Sequence, residues 1–458
     1  MSALLRVIYT RVASLFAGGG LRPKVATLAG GTAFAQVLAV AISPVLSRLY
    51  GPEEFGILAA LASTAGLLGV GASLRYQVAI PLPQERQPAK DLLRISLGLA
   101  VGSTLVISGL AFGFAPRLFA WLRVPEAAGY WWFIPLATGG MAVYEALYHW
   151  ILRLRDYRRL MQTRVWQSTS NAAASITLGL GYPGPLGLLV GGVLYQAAGI
   201  GSLLRAVRAA PDLGPHPPPW QSAVRTAREY AAFAVFGCPA ALMNASGLML
   251  PPLMMVGLYG AEAGGAFSFA FRFVSVPMAL VGTAVSQVFL AEASPLLAQR
   301  PAEVRVLFNR FVLRLLPFSV ALMLGGLVCP WLFPPVFGAG WTQAGWFAAF
   351  LAFSCAAQML VSPVSNIAVL TRQQGCQLGL DSLRVAGVVL SLWVSFKLGA
   401  TAIQAVATYA GTMVLLYGIY FLFYRRMALG LAAVSVVKDA TGRNCATDAA
   451  PTDGGTGL

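Results

Sequence analysis

The stretch Leu49-Tyr50-Gly51-Pro52-Glu53-Glu54-Phe55-Gly56, LYGPEEFG, lies between two long apolar runs, and LYGAEAGG, Leu258 to Gly265, lies between two others. Both fit Leu-Tyr-Gly-x-Glu-x-x-Gly. Taken singly, each copy reads as a tight turn in which glycine supplies backbone freedom, tyrosine anchors at an interface and glutamate caps the incoming helix. The repetition carries more weight than either copy, and its meaning depends on what the apolar runs are.

Of the 458 residues, 57% are hydrophobic and 10% charged, and the mean hydropathy is +0.71. That leaves too little polar surface to cover a water-soluble body of this size, so the chain reads as an integral membrane protein. The formal charge of +16 would suggest nucleic acid in a soluble protein. Here the basic residues fall between apolar runs rather than along one polar face, which argues for no nucleic-acid partner. The five cysteines, Cys238, Cys329, Cys355, Cys376 and Cys445, are odd in number and widely spaced, and read as small buried hydrophobes rather than disulfides or metal ligands. No metal site or cofactor motif is expected.

Windows of roughly 20 apolar residues, the length that crosses a bilayer, fall at 25–47, 55–82, 91–115, 130–152, 163–182, 185–207, 229–256, 263–291, 307–332, 342–370, 375–397 and 400–424. With a cytoplasmic N-terminus, these twelve spans leave 25 of the 32 Lys and Arg in cytoplasmic segments, four outside (Arg48, Arg117, Arg123, Lys397) and three within spans. The positive-inside rule demands such a bias, and one span more or fewer would scramble it. Trp131, Trp132, Trp331, Trp341 and Trp346 cluster at the predicted outer boundary, where an aromatic belt belongs.

Under this topology the two copies of the motif occupy equivalent outer turns, after the first and the seventh helix. The predicted fold is therefore all-α, about twelve transmembrane helices in two six-helix lobes related by an axis along the membrane normal. The expected organisation is an amphipathic N-terminal segment (1–24), a first lobe (25–208), a Pro-rich cytoplasmic linker (209–228), a second lobe (229–427) and a disordered cytoplasmic tail (428–458). Both termini are expected in the cytoplasm.

Gly30 to Ser63, GGTAFAQVLAVAISPVLSRLYGPEEFGILAALAS, followed by RYQVAIPLP at Arg75 to Pro83, resembles the opening of bacterial polysaccharide transporters of the Wzx type. These belong to the multidrug/oligosaccharidyl-lipid/polysaccharide flippase superfamily. The resemblance implies a MATE-like, V-shaped alternating-access bundle in the bacterial inner membrane. It implies a flippase, not an enzyme, whose substrate is an undecaprenyl-pyrophosphate-linked oligosaccharide repeat unit moved from the cytoplasmic to the periplasmic leaflet. Its partners would be that lipid-linked oligosaccharide, the membrane lipids and other polysaccharide assembly proteins.

An ionisable group inside a span costs about 2.5–3.5 kcal/mol on insertion scales and needs a partner or a purpose. Arg75 is expected about 10 Å inside the second helix, Arg272 close to mid-membrane in the eighth and Arg384 deep in the eleventh. Guanidinium forks match phosphate oxygens, which makes the three arginines candidates for binding a pyrophosphate in a wet cavity. Arg75 is also placed where it could snorkel to headgroups, and Asp381, three residues before Arg384, could simply neutralise it. Glu145 and His149 share a helix face at i and i+4, a candidate coupling pair or an interfacial one.

Three alternatives stay open. A membrane glycan polymerase or ligase would need a sizeable outer loop with acid and base residues, and the longest here, near 115–130, holds only Arg117, Arg123 and Glu126 as charged residues. A cation-coupled multidrug exporter would be expected to carry a carboxylate in its first lobe, yet the first helix has no charge. A lipid II flippase also needs buried arginines, but that family is expected to have more helices than fit this chain.

Overall fold

A computed structural model describes residues 22–209, 220–299, 303–365, 367–368 and 374–441. Among these, every regular element is helical. The first lobe comprises α1 (Arg22–Ala41), α2 (Ser43–Leu49), α3 (Pro52–Gly71), the single turn α4 (Tyr76–Ala79), α5 (Arg86–Trp121), α6 (Phe133–Arg153), α7 (Tyr157–Gly181), α8 (Leu186–Ala197) and α9 (Ile200–Ala209). A linker helix α10 (Trp220–Glu229) follows. The second lobe comprises α11 (Cys238–Tyr259), α12 (Ala261–Gln299), α13 (Glu303–Phe337), α14 (Thr342–Val361), α15 (Gln374–Lys397) and α16 (Ala402–Thr441).

Each predicted span overlaps one or two of these helices. Among the described residues, nine helical segments are long and apolar enough to cross a membrane, and ten if α1 and α2 form one span bent by 41°. The bend falls where Pro44 opens α2, since proline removes a backbone donor and clashes with the preceding turn. The helices α6 and α7 fall short of that count because of their polar cargo: Glu145 and His149 on one, Arg164, Gln167 and Asn171 on the other. Polar residues inside a bundle line a cavity or pair with one another. Elsewhere the outward faces are greasy: Leu105, Val106 and Phe112 of α5 and Leu313, Leu324 and Trp331 of α13 are all exposed. In water such patches would drive aggregation, whereas hydrocarbon solvates them. The fold is a multi-pass membrane bundle.

Three expectations change. The second span ends at Gly71, not 82; Leu74 and Arg75 then adopt positive φ, 47° and 63°, so Arg75 stands in the break after α3 rather than inside a helix. The region read as a linker contains the helix α10, and α16 runs to Thr441, into the segment read as tail. The N-terminal residues 1–21, the Pro-rich 210–219 and the end of the chain from 442 lie outside the described residues.

The repeated motif explains itself once the lobes are assembled. α3 packs against α11 and α12, and the seam forms where the two copies meet. A β-carbon on Gly56, the last residue of the first copy, would be driven into the carbonyl of Ala261 in the second. A β-carbon on Gly265, the last residue of the second copy, would meet the carbonyl of Pro52 in the first. Positions 52 and 261 correspond, so each copy seats its final glycine on the same carbonyl of the other. Each tyrosine ties its copy to its own lobe: Tyr50 donates to the Ser175 carbonyl of α7 at 2.7 Å, and Tyr259 meets Phe396 of α15 edge-on at 5.7 Å. The capping role falls to Glu54, whose Oε2 accepts the Gly51 N–H at 2.9 Å, and not to Glu53, which the repeat preserves. Around the seam Phe55 meets Phe269 and Trp341 edge-on at 5.3 and 5.2 Å, and Trp341 Nε1 donates to the Ser47 carbonyl at 3.0 Å. The lobes are thus sealed at the end that carries the motif.

Candidate substrate cavity between the lobes

Beyond the seam, a crevice opens between Ala39, Val40 and Ser43 of α1–α2 and Phe269, Arg272 and Phe273 of α12. Arg272 is the charged residue on its wall. It lies eleven residues into α12, about 17 Å along the helix axis, near the middle of a hydrocarbon layer about 30 Å thick. Its side chain is exposed, as fits a group on the wall of a crevice rather than one packed in a core. Among the described residues no hydrogen-bond or ion-pair partner meets its guanidinium.

Arg384 has a different setting. It is 6% exposed, and its Nη2 donates to the side-chain and backbone oxygens of Asn244 in α11 at 2.8 and 3.1 Å, with Asp381 at 3.3 Å. Tyr420 donates to the same Asp381 oxygen at 3.5 Å. This guanidinium joins α15 to α11 inside the second lobe. Breaking a buried pair from one side strands a charge at a cost of about 3–5 kcal/mol, while removing both charges costs far less. Asp381→Asn alone is therefore expected to lower the melting temperature of the purified protein more than Asp381→Asn combined with Arg384→Gln. A double variant that melts below both single variants would mean that the charges do not act as a pair.

Glu145 and His149 do come together. His149 Nδ1 lies 2.8 Å from the Glu145 carbonyl oxygen, which only accepts, so Nδ1 carries the proton and Nε2 is left as an acceptor. The Glu145 carboxylate lies 3.7 Å from the same ring nitrogen.

Two polar residues escaped the sequence reading. A fifth span beginning at 163 places Arg164 at its cytoplasmic end, among the cytoplasmic charges. Asp156 caps α7 by accepting the Arg159 N–H at 3.1 Å, which starts the helix earlier and carries Arg164 about 10 Å inside it. There its guanidinium lies over the rings of Tyr144 and Tyr148 at 5.5 and 5.6 Å. The capping aspartate was the available signal. Asp91 of α5 is wholly buried and accepts from Gln87 Nε2 at 2.9 Å, Ser222 Oγ at 2.6 Å and Thr226 Oγ1 at 3.4 Å. Ser222 and Thr226 belong to α10, and Tyr76 donates to the Ala227 carbonyl of the same helix at 3.0 Å. The linker helix is therefore fastened to the first lobe.

A family profile described as "Polysaccharide biosynthesis protein" matches residues 45–345. The succinoglycan biosynthesis transport protein ExoT of Rhizobium meliloti (strain 1021) is 26% identical over 254 residues, 53% of this chain and 47% of that protein. The match thus spans just under half of that relative's length. Among solved structures, a lipid II flippase MurJ in an inward closed conformation superposes with a TM-score of 0.65 at 11% identity, covering 91% of this chain and 93% of the other. An inward-facing multidrug resistance MATE family transporter of the MOP superfamily gives 0.64 at 15% identity, with 87% and 96% covered. At such identities the likeness speaks for the fold alone.

Proposed function

Given that the chain belongs to this polysaccharide biosynthesis protein family, we propose that it is a flippase of the inner membrane, carrying undecaprenyl-pyrophosphate-linked oligosaccharide repeat units from the cytoplasmic to the periplasmic leaflet. The observation that carries this reading is Arg272: a cation at mid-membrane depth, on the wall of a crevice between two lobes, with no anionic partner among the described residues. Such a charge is costly in a low-dielectric medium unless something stabilises it. A pyrophosphate crossing the bilayer faces the converse penalty, and pairing the two lowers both. Arg75, in the break at the inner end of α3, would meet the headgroup as it enters. Arg384 would act at one remove, by fixing α15 against α11.

In this reading the sealed end is the periplasmic one, and the protein stands ready to receive substrate from the cytoplasm. Transport then requires the Gly56 and Gly265 contacts to part while the cytoplasmic side closes. A strain lacking the protein is expected to lose one surface polysaccharide and to accumulate the matching lipid-linked repeat unit, both restored by the wild-type gene. Mass spectrometry of extracted lipids together with surface glycan analysis makes the comparison. Loss of the polysaccharide without accumulation of the lipid-linked unit would assign the protein to a step before transport.

A further inference from the structure

The linker helix α10 has two unlike faces. One is fastened to the first lobe, where Ser222 and Thr226 meet Asp91 and the Ala227 carbonyl accepts from Tyr76. On the other, Gln221, Arg225 and Arg228 are exposed at i, i+4 and i+7, and together with half-buried Val224 they line one open hollow. Among the described residues no carboxylate lies within ion-pair distance of Arg225 or Arg228. The positive-inside rule asks for cations in a cytoplasmic segment but sets no face for them. A helix that gathers its arginines on one side, with an apolar side chain among them, has the pattern of a helix made for the membrane surface.

Its height fits as well. The apolar span that follows α10 begins at Phe233, and the chain between stays coiled, because Tyr230 N–H donates to the Thr226 carbonyl and Phe233 N–H to the Tyr230 carbonyl, both at 3.1 Å. At 1.5 Å per residue Arg228 and Arg225 stand about 8 and 12 Å from the start of that span. The headgroup layer is about 5–8 Å deep on each side of the hydrocarbon, and a long arginine side chain reaches across the difference. We propose that this face of α10 is a docking surface for anionic phospholipids of the cytoplasmic leaflet, with the phosphate held by Arg225 and Arg228 and the glycerol of the headgroup by Gln221. The inference rests on the orientation proposed above, which puts α10 on the cytoplasmic side, and is independent of the Arg272 site. A bound lipid holds α10 from one side while Asp91 holds it from the other.

The test is native mass spectrometry of the purified full-length protein in detergent, titrated with dioleoyl phosphatidylglycerol and, separately, with phosphatidylcholine of the same chains. The wild type is expected to retain phosphatidylglycerol in preference. Each arginine near an anionic surface is worth about fivefold in affinity, so Arg225→Gln with Arg228→Gln should weaken phosphatidylglycerol binding by about tenfold or more and leave phosphatidylcholine unchanged. Arg225→Lys with Arg228→Lys keeps the charge and should retain most of the binding. Arg425→Gln with Arg426→Gln removes two exposed arginines from α16 and should change little. Equal melting temperatures of the wild type and all three pairs in lipid-free detergent separate this from misfolding. Equal retention of the two lipids by the wild type, equal losses in the α10 and α16 glutamine pairs, or a lysine pair as weak as its glutamine counterpart would each overturn the proposal. So would release of phosphatidylglycerol by millimolar inorganic phosphate, which would make the hollow a site for a soluble anion. A cysteine at Gln221, with the native cysteines replaced by serine, should react with a membrane-impermeant thiol reagent in inverted vesicles and not in intact cells. Reaction in intact cells would overturn the leaflet assigned here and the direction of transport proposed above, whatever Arg272 binds.

Discussion

Valine at Gly56 or at Gly265 is expected to abolish surface polysaccharide display while the protein still reaches the membrane. Each glycine sits against a backbone carbonyl of the opposite motif, which cannot rotate away as a side chain would. Overpacking of this kind costs about 1–3 kcal/mol per site, and 2 kcal/mol moves a two-state population by about 30-fold. The cost falls on the sealed arrangement alone, because the contact exists only while the lobes meet there. The protein should therefore spend most of its time unsealed at that end. A cysteine at Ala39, in the crevice beside Arg272, reports this directly once Cys238 and Cys376 are replaced by serine. A membrane-impermeant thiol reagent added outside should label it faster in Gly56→Val and faster again in the double variant. Equal labelling and normal polysaccharide in the double variant would mean that the motif contact is not a gate.

Arg272→Ala and Arg272→Glu are expected to lose transport by at least an order of magnitude, with glutamate worse, and Arg272→Lys to keep part of it. Lysine preserves the charge but offers a single point where arginine offers a fork. Glutamate places a carboxylate where a diphosphate must come, and like charges in a low-dielectric crevice repel strongly. Surface glycan per unit of membrane-inserted protein is the measurement, since a folding defect alone would lower both together. Wild-type display by Arg272→Ala would remove the cation from the mechanism and leave recognition to the sugars or the lipid tail.

What the sequence announced and what it withheld follow one physical division. Helix positions were legible because a span must be long and apolar, and the repeat was legible because a seam between backbones tolerates only glycine at Gly56 and Gly265. The pairing of Asp381 with Arg384 was legible from a spacing of three. Arg75 was misplaced because apolar residues continue past Gly71, and hydropathy does not register the positive φ at Leu74 that ends the helix. Arg164 and Asp91 were overlooked for a related reason. Each lies near a helix start rich in charge, where one turn decides between a solvated group and an enclosed one. The partners that enclose them, Tyr144 and Tyr148 for one, Ser222 and Thr226 for the other, come from other helices.

The fastening of α10 to Asp91 fixes the mechanics of the whole machine. With α10 bound to the first lobe, and Tyr230, Phe233 and Ala234 packed on that lobe's core, the covalent join between lobes is not a loose tether. It shortens to the few residues from Val235 to Cys238, where Val235 and Phe236 stand 60% and 75% exposed and the backbone winds as a π-turn. Such wide turns are locally unstable elements inserted in helices, often where function needs them. In the transport cycle proposed above, this single turn is where one lobe would rotate against the other, and each degree of rotation there would be magnified along α11 into displacement at the far end, where the glycine seam lies.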